Sequence, residues 1–140
     1  MSSEISQPKS RNKKVYYLDS SKVENIVFKI ADTQKDLEVA YHAVHQTYVH
    51  DGLMNPDSSG MRLKLVYAHP HTVTIIGKKE DVLITLTVIP DSPMGLSADE
   101  IYREEIDGLR AEGKSIVEVG ALAFHPEYRS SISDPAGANI

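Results

Sequence analysis

The sequence contains no cysteine. That excludes a disulfide framework, a thiolate zinc site and a cysteine nucleophile together. No apolar run approaches the roughly 18 residues needed to span a bilayer. The N-terminus is polar and charged, without the apolar core of a secretory leader. G-x-S-x-G is absent, which removes the serine elbow of the hydrolases. Neither a P-loop nor a G-x-G-x-x-G phosphate cradle occurs, and no H-E-x-x-H spacing is present. What is there is ordinary for one soluble domain: 140 residues, 41% hydrophobic and 25% charged. A cytoplasmic protein is the plain expectation.

The net charge of -5 is unevenly spread. Residues 1–22 carry five bases against two acids (Glu4 and Asp19), and the remaining chain carries 10 bases against 18 acids. An acidic body opposes nucleic-acid binding through phosphate neutralisation, so no nucleic-acid partner is expected. The basic lead, residues 1–22, is poor in apolar residues and reads as disordered. The small polar tail, residues 130–140, reads the same way. A domain is expected over residues 23–129.

Within it the periodicity changes several times. Ile26, Phe28 and Ile30 alternate with Val27 and Lys29, which predicts a strand with one face more deeply buried. Thr33 followed by Asp36 resembles a capping box and opens a helix over about 33–50. Leu37, Tyr41, Val44 and Tyr48 share one face of it, and Gly52 stops it. Residues 51–71 carry turn chemistry, with a short apolar run at Leu63–Tyr67. Thr72–Ile76 and Val82–Ile89 are rich in β-branched residues and predict a hairpin. Ser97 with Glu100 predicts a capping box for a second helix. Tyr102, Ile106 and Leu109 are its inner face, and Asp99, Glu100, Glu104, Glu105 and Asp107 its outer one. Gly113 closes that helix, and a last strand covers about 116–124. The order β-α-β-β-α-β predicts an α+β fold, a mixed sheet with flanking helices.

The last strand, Ile116 to Phe124, is apolar on both faces and reads as a central strand. Glu118 stands in its middle, on the face predicted to hold Ile116, Gly120 and Leu122. Burying an ionised carboxylate without a partner costs several kcal/mol even after relaxation. Such a residue has either a structural partner, for which Arg110 and Arg62 are the candidates, or a functional cleft. Gly120 adds to the second reading, because a glycine inside a strand marks a bulge or a close approach by a ligand. Histidine offers a competing site: Glu38, His42 and His45 on the first helix, with His69 and His71 around Pro70. Without a metal-binding spacing, no metal is expected.

The order and spacing of several segments give a resemblance. They are Tyr48-Val49-His50-Asp51-Gly52-Leu53, His69-Pro70-His71-Thr72-Val73-Thr74, Leu86-Thr87-Val88-Ile89-Pro90-Asp91-Ser92, Met94-Gly95-Leu96, Leu109-Arg110-Ala111-Glu112-Gly113-Lys114 and Glu118-Val119-Gly120-Ala121-Leu122-Ala123. Across about residues 26–129 the chain resembles the N-acyl amino acid synthases (FeeM-type) of the GNAT acyltransferase superfamily. These are similar in turn to the acyl-homoserine lactone synthases. The resemblance implies a GNAT-like fold, of which this chain is expected to hold the front part only, a C-terminally truncated form. It implies transfer of a long-chain fatty acyl group to the amine of an amino acid. The donor is an acyl-phosphopantetheine thioester, on acyl carrier protein or CoA, as co-substrate rather than a resident cofactor.

On this reading Glu118 is the catalytic base, and Tyr48, Thr87, Asp91, Gly120, Ala121 and Leu122 bind substrate. Tyr48 and Asp91 also fit simple core packing and a turn cap. The donor arm would lie along the last strand, and the tail would enter an apolar slot between the first helix and the hairpin. Lys78, Lys79 and Arg129 are the docking charges for an acidic carrier. Ala121 replaces the arginine that follows the matching glutamate in the lactone synthases. Thr85, Leu86 and Thr87 occupy the region of their hairpin base. Lactone synthesis is therefore not expected. The alternative is a catalytically inactive module that binds an acyl chain or a partner, with self-association through an open sheet edge.

Overall fold

The computed structural model describes residues 16–18 and 24–131. A four-stranded sheet is formed by β2 (Val27–Ile30), β3 (Val73–Lys78), β4 (Val82–Pro90) and β5 (Val117–Phe124), in that spatial order. Every pairing in it is antiparallel. Helix α1 (Gln34–His50) follows β2, and α2 (Asp99–Ala111) joins β4 to β5. The α+β order β-α-β-β-α-β is thus the one expected. A separate two-stranded ladder pairs β1 (Tyr16–Leu18) with β6 (Arg129–Ser131). These short strands fall inside, or run into, the lead and tail segments expected to be disordered. The rest of those two segments lies outside the described residues, as does Val23.

Helix α1 begins as its sequence dictates. The Thr33 hydroxyl accepts from the Asp36 N–H at 3.1 Å, satisfying one of the orphan donors of the first turn. The Asp36 carboxylate then accepts from Lys29 Nζ at 2.7 Å. At the other end Gly52 has φ +70, a left-handed conformation open to glycine at little cost. Ala40, Val44 and Thr47 are the buried residues of α1, and Ala40 packs with Ala31, Ile76 and Val82.

The sheet turns an unusual face to the helices. Pairing puts Thr74 opposite Thr87 and Ile76 opposite Thr85, and all four side chains are buried. The hydroxyls are satisfied inside: Thr74 Oγ1 and Thr87 Oγ1 are 3.0 Å apart, and Thr85 Oγ1 donates to the Ala121 carbonyl at 2.7 Å. The opposite face is more apolar yet more open, with Phe28, Ile30, Val117 and Val119 all more than half exposed.

Three expectations are corrected here. Strand β2 has no deeply buried face, because it lies at the sheet edge and all four of its residues are exposed. Strand β5 is likewise an edge of the four-stranded sheet, not a central strand. Its exposed positions are Val117, Val119 and Leu122. The face predicted to hold Ile116, Gly120 and Leu122 together is broken. Thr85 pairs with Ala123 but Thr87 pairs with Gly120, so β5 carries one more residue than β4 across this stretch. That is a β-bulge. Ala121 takes φ +48 and is buried with Ala123, while Leu122 points outward.

Helix α2 is anchored differently from the capping box expected at Ser97. Its N-cap is Ala98, with no side-chain cap from within the helix. Asp99 is buried rather than outward, and its Oδ2 accepts from the Leu96 N–H at 2.7 Å. Of the predicted inner face only Ile106 is buried, packed with Ile89 and Leu96. Tyr102 and Leu109 are exposed, and a non-helical φ/ψ at Tyr102 kinks the first turn. The other end closes at Gly113 as expected, with φ +71.

Arg110 explains the departure. Its guanidinium bonds Asp91 through Nε and Nη2, both at 2.7 Å, and reaches Asp99 at 2.8 and 2.9 Å and Asp107 at 2.7 Å. A planar fork suits two such bidentate contacts, and it ties the end of α2 to the end of β4 and to its own first turn. These bonds hold the Asp99 carboxyl at about 2, and Asp91 below its ordinary value.

Two predictions follow from these contacts. A carboxylate depressed in the folded state contributes stability that is full above its unfolded value near 3.8 and lost as pH falls through the folded one. Urea midpoints measured from pH 5 downward should therefore drop between about pH 4 and pH 2, and Asp99→Asn should flatten that drop. Separately, Thr85→Val leaves the Ala121 carbonyl without its donor. Urea unfolding should show a loss of about 1–3 kcal/mol, the cost of an orphaned buried acceptor.

Candidate active site

The site is built on the bulge of β5. Glu118 pairs with Ile89 on β4 and faces the helices, as alternation requires. Its side chain is only half-buried, and neither Arg110 nor Arg62 pairs with it. Instead Oε2 accepts from the Ala98 N–H at 2.9 Å. The carboxylate thus supplies the cap that α2 lacks, at the helix end where negative charge is favoured. Oε1 has no bond from the described residues. No buried side-chain oxygen among them is unpartnered, so Oε1 opens to solvent. A side chain at Gly120 would meet that oxygen at 3.5 Å and Ile89 at 3.8 Å. The glycine therefore keeps clear the space that the free oxygen overlooks.

The other expected residues divide. Thr87, Gly120 and Ala121 lie beside Glu118, across and along the β4–β5 ladder. Thr87 is buried and bonded to Thr74, which leaves its hydroxyl committed to the sheet. Tyr48 packs against the cluster of Val44, Ala121 and Ala123. Asp91 follows β4, where its N–H bonds the Ile116 carbonyl at 3.0 Å, and its carboxylate is taken by Arg110. Leu122 is turned to the far side of the sheet by the bulge.

Sequence reasoning gave little weight to two residues that the fold brings here. Tyr67, in the short 3-10 turn Leu65–Ala68, packs both against the cluster of Val44, Ala121 and Ala123 and against that of Ile89, Leu96 and Ile106. Its ring stacks on Tyr41 at 5.6 Å, and burial pushes its hydroxyl above the usual tyrosine range. Arg62 donates to that hydroxyl through Nη1, and its guanidinium carbon lies 4.9 Å from the centre of the Tyr48 ring. No sequence spacing relates Arg62 to β5. Only the path of the loop brings them together.

That path is set by the histidines considered as metal ligands. His42 Nδ1 lies 2.7 Å from the Gly60 carbonyl, and His45 Nε2 accepts from the Asp57 N–H at 2.9 Å. They clip the loop after α1 back along the helix. The Arg62 N–H then bonds the Tyr41 carbonyl at 3.2 Å. His69 and His71 lie together elsewhere, their rings 5.6 Å apart. Among the described residues no three His, Asp or Glu side chains are grouped to hold a metal ion. No described helix is long and apolar enough to cross a membrane.

A cleft of about 270 Å³ does lie between α1 and the hairpin. Its floor is Val39, Ile76 and Val82, but its rim is Lys35, Asp36, Lys78, Glu80 and Asp81. A charged rim at the end of the sheet remote from Glu118 is not the apolar slot that the resemblance implied.

Comparison with known proteins identifies the family and the fold. The sequence profile of the family described as N-acyl amino acid synthase FeeM matches residues 39–135. No curated protein matches the chain. Among solved structures, that of FeeM, an N-acyl amino acid synthase from uncultured soil microbes, is similar with a TM-score of 0.65 and 26% sequence identity. The match covers 80% of this chain and 58% of the solved one. The matched region runs from within α1 through the hairpin, α2 and the bulged strand with Glu118, and on that ground the chain belongs to the FeeM family of N-acyl amino acid synthases.

Proposed function

We propose that the chain carries the acyl-transfer site of an N-acyl amino acid synthase, which moves a long-chain fatty acyl group from a phosphopantetheine thioester to the amine of an amino acid. The observation that carries this reading is a half-free glutamate beside a β-bulge on a strand that is the sheet edge among the described residues. An edge strand presents backbone groups that an extended ligand can pair with. The pantetheine arm is such a ligand, with an amide backbone of its own. At the bulge the ladder is interrupted, and backbone donors there are the natural partners of a thioester oxygen.

The chemistry assigns Glu118 its role. An α-ammonium is not nucleophilic until a proton leaves it, and Glu118 Oε1, directly or through one water, takes that proton. The amine nitrogen then bonds the thioester carbonyl carbon, and negative charge passes to the oxygen. Collapse of this intermediate breaks the C–S bond. The nitrogen gives up its second proton and the departing thiolate takes one up, leaving a neutral amide and a thiol. Gly120 leaves room for the acceptor, while Tyr48, Ala121 and the Thr87 stretch of β4 form the ground beneath it.

The donor is proposed to be acyl carrier protein, with CoA as the other source of the same arm. Phe124, at the far end of β5, pairs with Ile84 close to the hairpin turn that carries Lys78 and Lys79. Lys78 and Lys79, though beside Glu80 and Asp81, are the cations proposed to meet an acidic carrier there. A cytoplasmic setting is proposed with it, because acyl thioesters are made there. The second reading, an inactive binding module, is favoured by the open β5 edge and by the exposed Phe28, Ile30, Val117 and Val119.

The test is release of thiol from long-chain acyl carrier protein and from acyl-CoA in the presence of mixed amino acids, with the amide product identified by mass. Turnover is expected. Its absence, with retained binding of the acyl donor, would favour the module. Glu118→Gln keeps an oxygen to accept the Ala98 N–H while removing the base. Its kcat should fall about 100- to 10,000-fold, the usual worth of a positioned general base, with an unchanged circular dichroism spectrum. Unchanged turnover would leave Glu118 as a helix cap and nothing more.

A further inference from the structure

Arg62 is half-buried between two tyrosines, and among the described residues no carboxylate pairs with it. The other partly buried guanidinium, Arg110, holds three aspartates. A guanidinium offers five N–H donors in a fixed fork, and Arg62 directs one set at the Tyr67 hydroxyl while the rest of the fork has no described partner. Taking such a charge partly out of water is costly unless something negative meets it. Its described neighbours add no anion. Tyr48 lies 4.9 Å and Tyr67 6.0 Å from the guanidinium by ring centre, and both rings stabilise a cation without neutralising it.

The position is as telling as the missing partner. Tyr67, which Arg62 bonds, packs against the cluster of Val44, Ala121 and Ala123 and also against that of Ile89, Leu96 and Ile106, which contains the strand partner of Glu118. Arg62 is thus placed above the same side of β5 that Glu118 overlooks. The loop delivering it is fixed at His42, His45 and Tyr41, so the cation is held in place before any ligand arrives.

We infer that Arg62 binds the α-carboxylate of the acceptor amino acid and so selects amino acids over simple amines. This rests on the acyl-transfer reading of the same site. In an α-amino acid the amine and the carboxylate share one carbon, so a residue that grips the carboxylate fixes how the amine faces Glu118. A bidentate guanidinium–carboxylate pair supplies both the charge and the angle. The phosphate of a donor arm is the competing anion. It is disfavoured because it lies at the far end of the pantetheine from the thioester, whereas Arg62 is held on the tyrosines that pack against the cluster containing Ala121.

The experiment compares the wild-type chain with Arg62→Met and Arg62→Lys, each checked by circular dichroism. Binding of free amino acids is measured by calorimetry, and transfer is measured with an amino acid and with the matching amine that lacks the carboxylate. Arg62→Met should weaken amino acid binding, and raise its KM, by about 10- to 100-fold with the donor KM unchanged. The preference for amino acid over amine should largely disappear. Arg62→Lys should fall between, keeping the charge but losing the fork. Equal losses with amino acid and amine, or a raised donor KM, would overturn the inference while leaving acyl transfer intact. So would unchanged amino acid binding in Arg62→Met. A wild-type chain that binds amino acids without turnover would count against the transfer reading alone, and one that does neither would overturn both.

Discussion

An antiparallel ladder repeats itself, so nothing along a regular edge strand distinguishes one residue from the next. The extra residue in β5 breaks that equivalence. Ala121 adopts a left-handed backbone that a side-chain-bearing residue takes only when its surroundings enforce it. The enforcing contact is the Thr85 hydroxyl, buried under α1, which takes up the carbonyl that the ladder has lost. Everything at the site refers to this point. Gly120 and Thr87 lie just before the slip in register, Ala123 and Thr85 just after it. The aromatic layer of Tyr48 and Tyr67 rests on the buried alanines that the bulge turns inward. The threonine-rich inner face, odd for a core, becomes sensible: its hydroxyls satisfy one another and the bulge.

Glu118 has two tasks that a less economical fold would separate. One oxygen caps α2, and the other looks over Gly120. The cap fixes the carboxylate by a backbone bond, which does not reorient as a flexible side chain would. A carboxylate held in this way is oriented before any ligand arrives. Helix α2 is in turn held by Arg110 against Asp91 and Asp99, and Asp99 draws in the Leu96 N–H two residues before Ala98. The ion network touches the glutamate nowhere. It places the N–H that places the glutamate.

Much of this was legible in the sequence, and the failures have physical causes. Element order, α1 with its Thr33 cap and the stops at Gly52 and Gly113 rest on local chemistry, and local chemistry decided them. Glu118 stood out because a carboxylate in an apolar strand has to be explained. The misread items are those where a distant group outbid a near one. Ser97 makes no side-chain cap because the first N–H groups of α2 bond the Leu96, Ser97 and Ala98 carbonyls, while Asp99 and Glu118 take the Leu96 and Ala98 N–H groups just before the helix. Tyr102 and Leu109 are exposed because a kinked, network-held α2 turns chiefly Ile106 to the core. The apolar runs of β2 and β5 suggested deep burial, yet both are edges, and hydropathy does not distinguish an edge from a centre. The bulge left only a faint mark, a glycine after a glutamate. It moved Leu122 off the face where strict alternation had put it.

Arg62 had no sequence signature because its place depends on a loop returning along α1. The two histidines that looked like metal ligands are what make that return possible, since each bonds a backbone group of the loop rather than an ion. Their spacing of three on one helix face serves two clips as well as it would serve one metal. The consequence is a division of labour between rigid elements. Strand β5, through its bulge and its tie to α2, fixes the carboxylate. Helix α1, through its clipped loop and stacked tyrosines, fixes the guanidinium. The two approach one side of one strand from independent supports, with opposite charge and a glycine-sized space at the strand itself. An amine and a carboxylate on the same carbon are the complement of that pair.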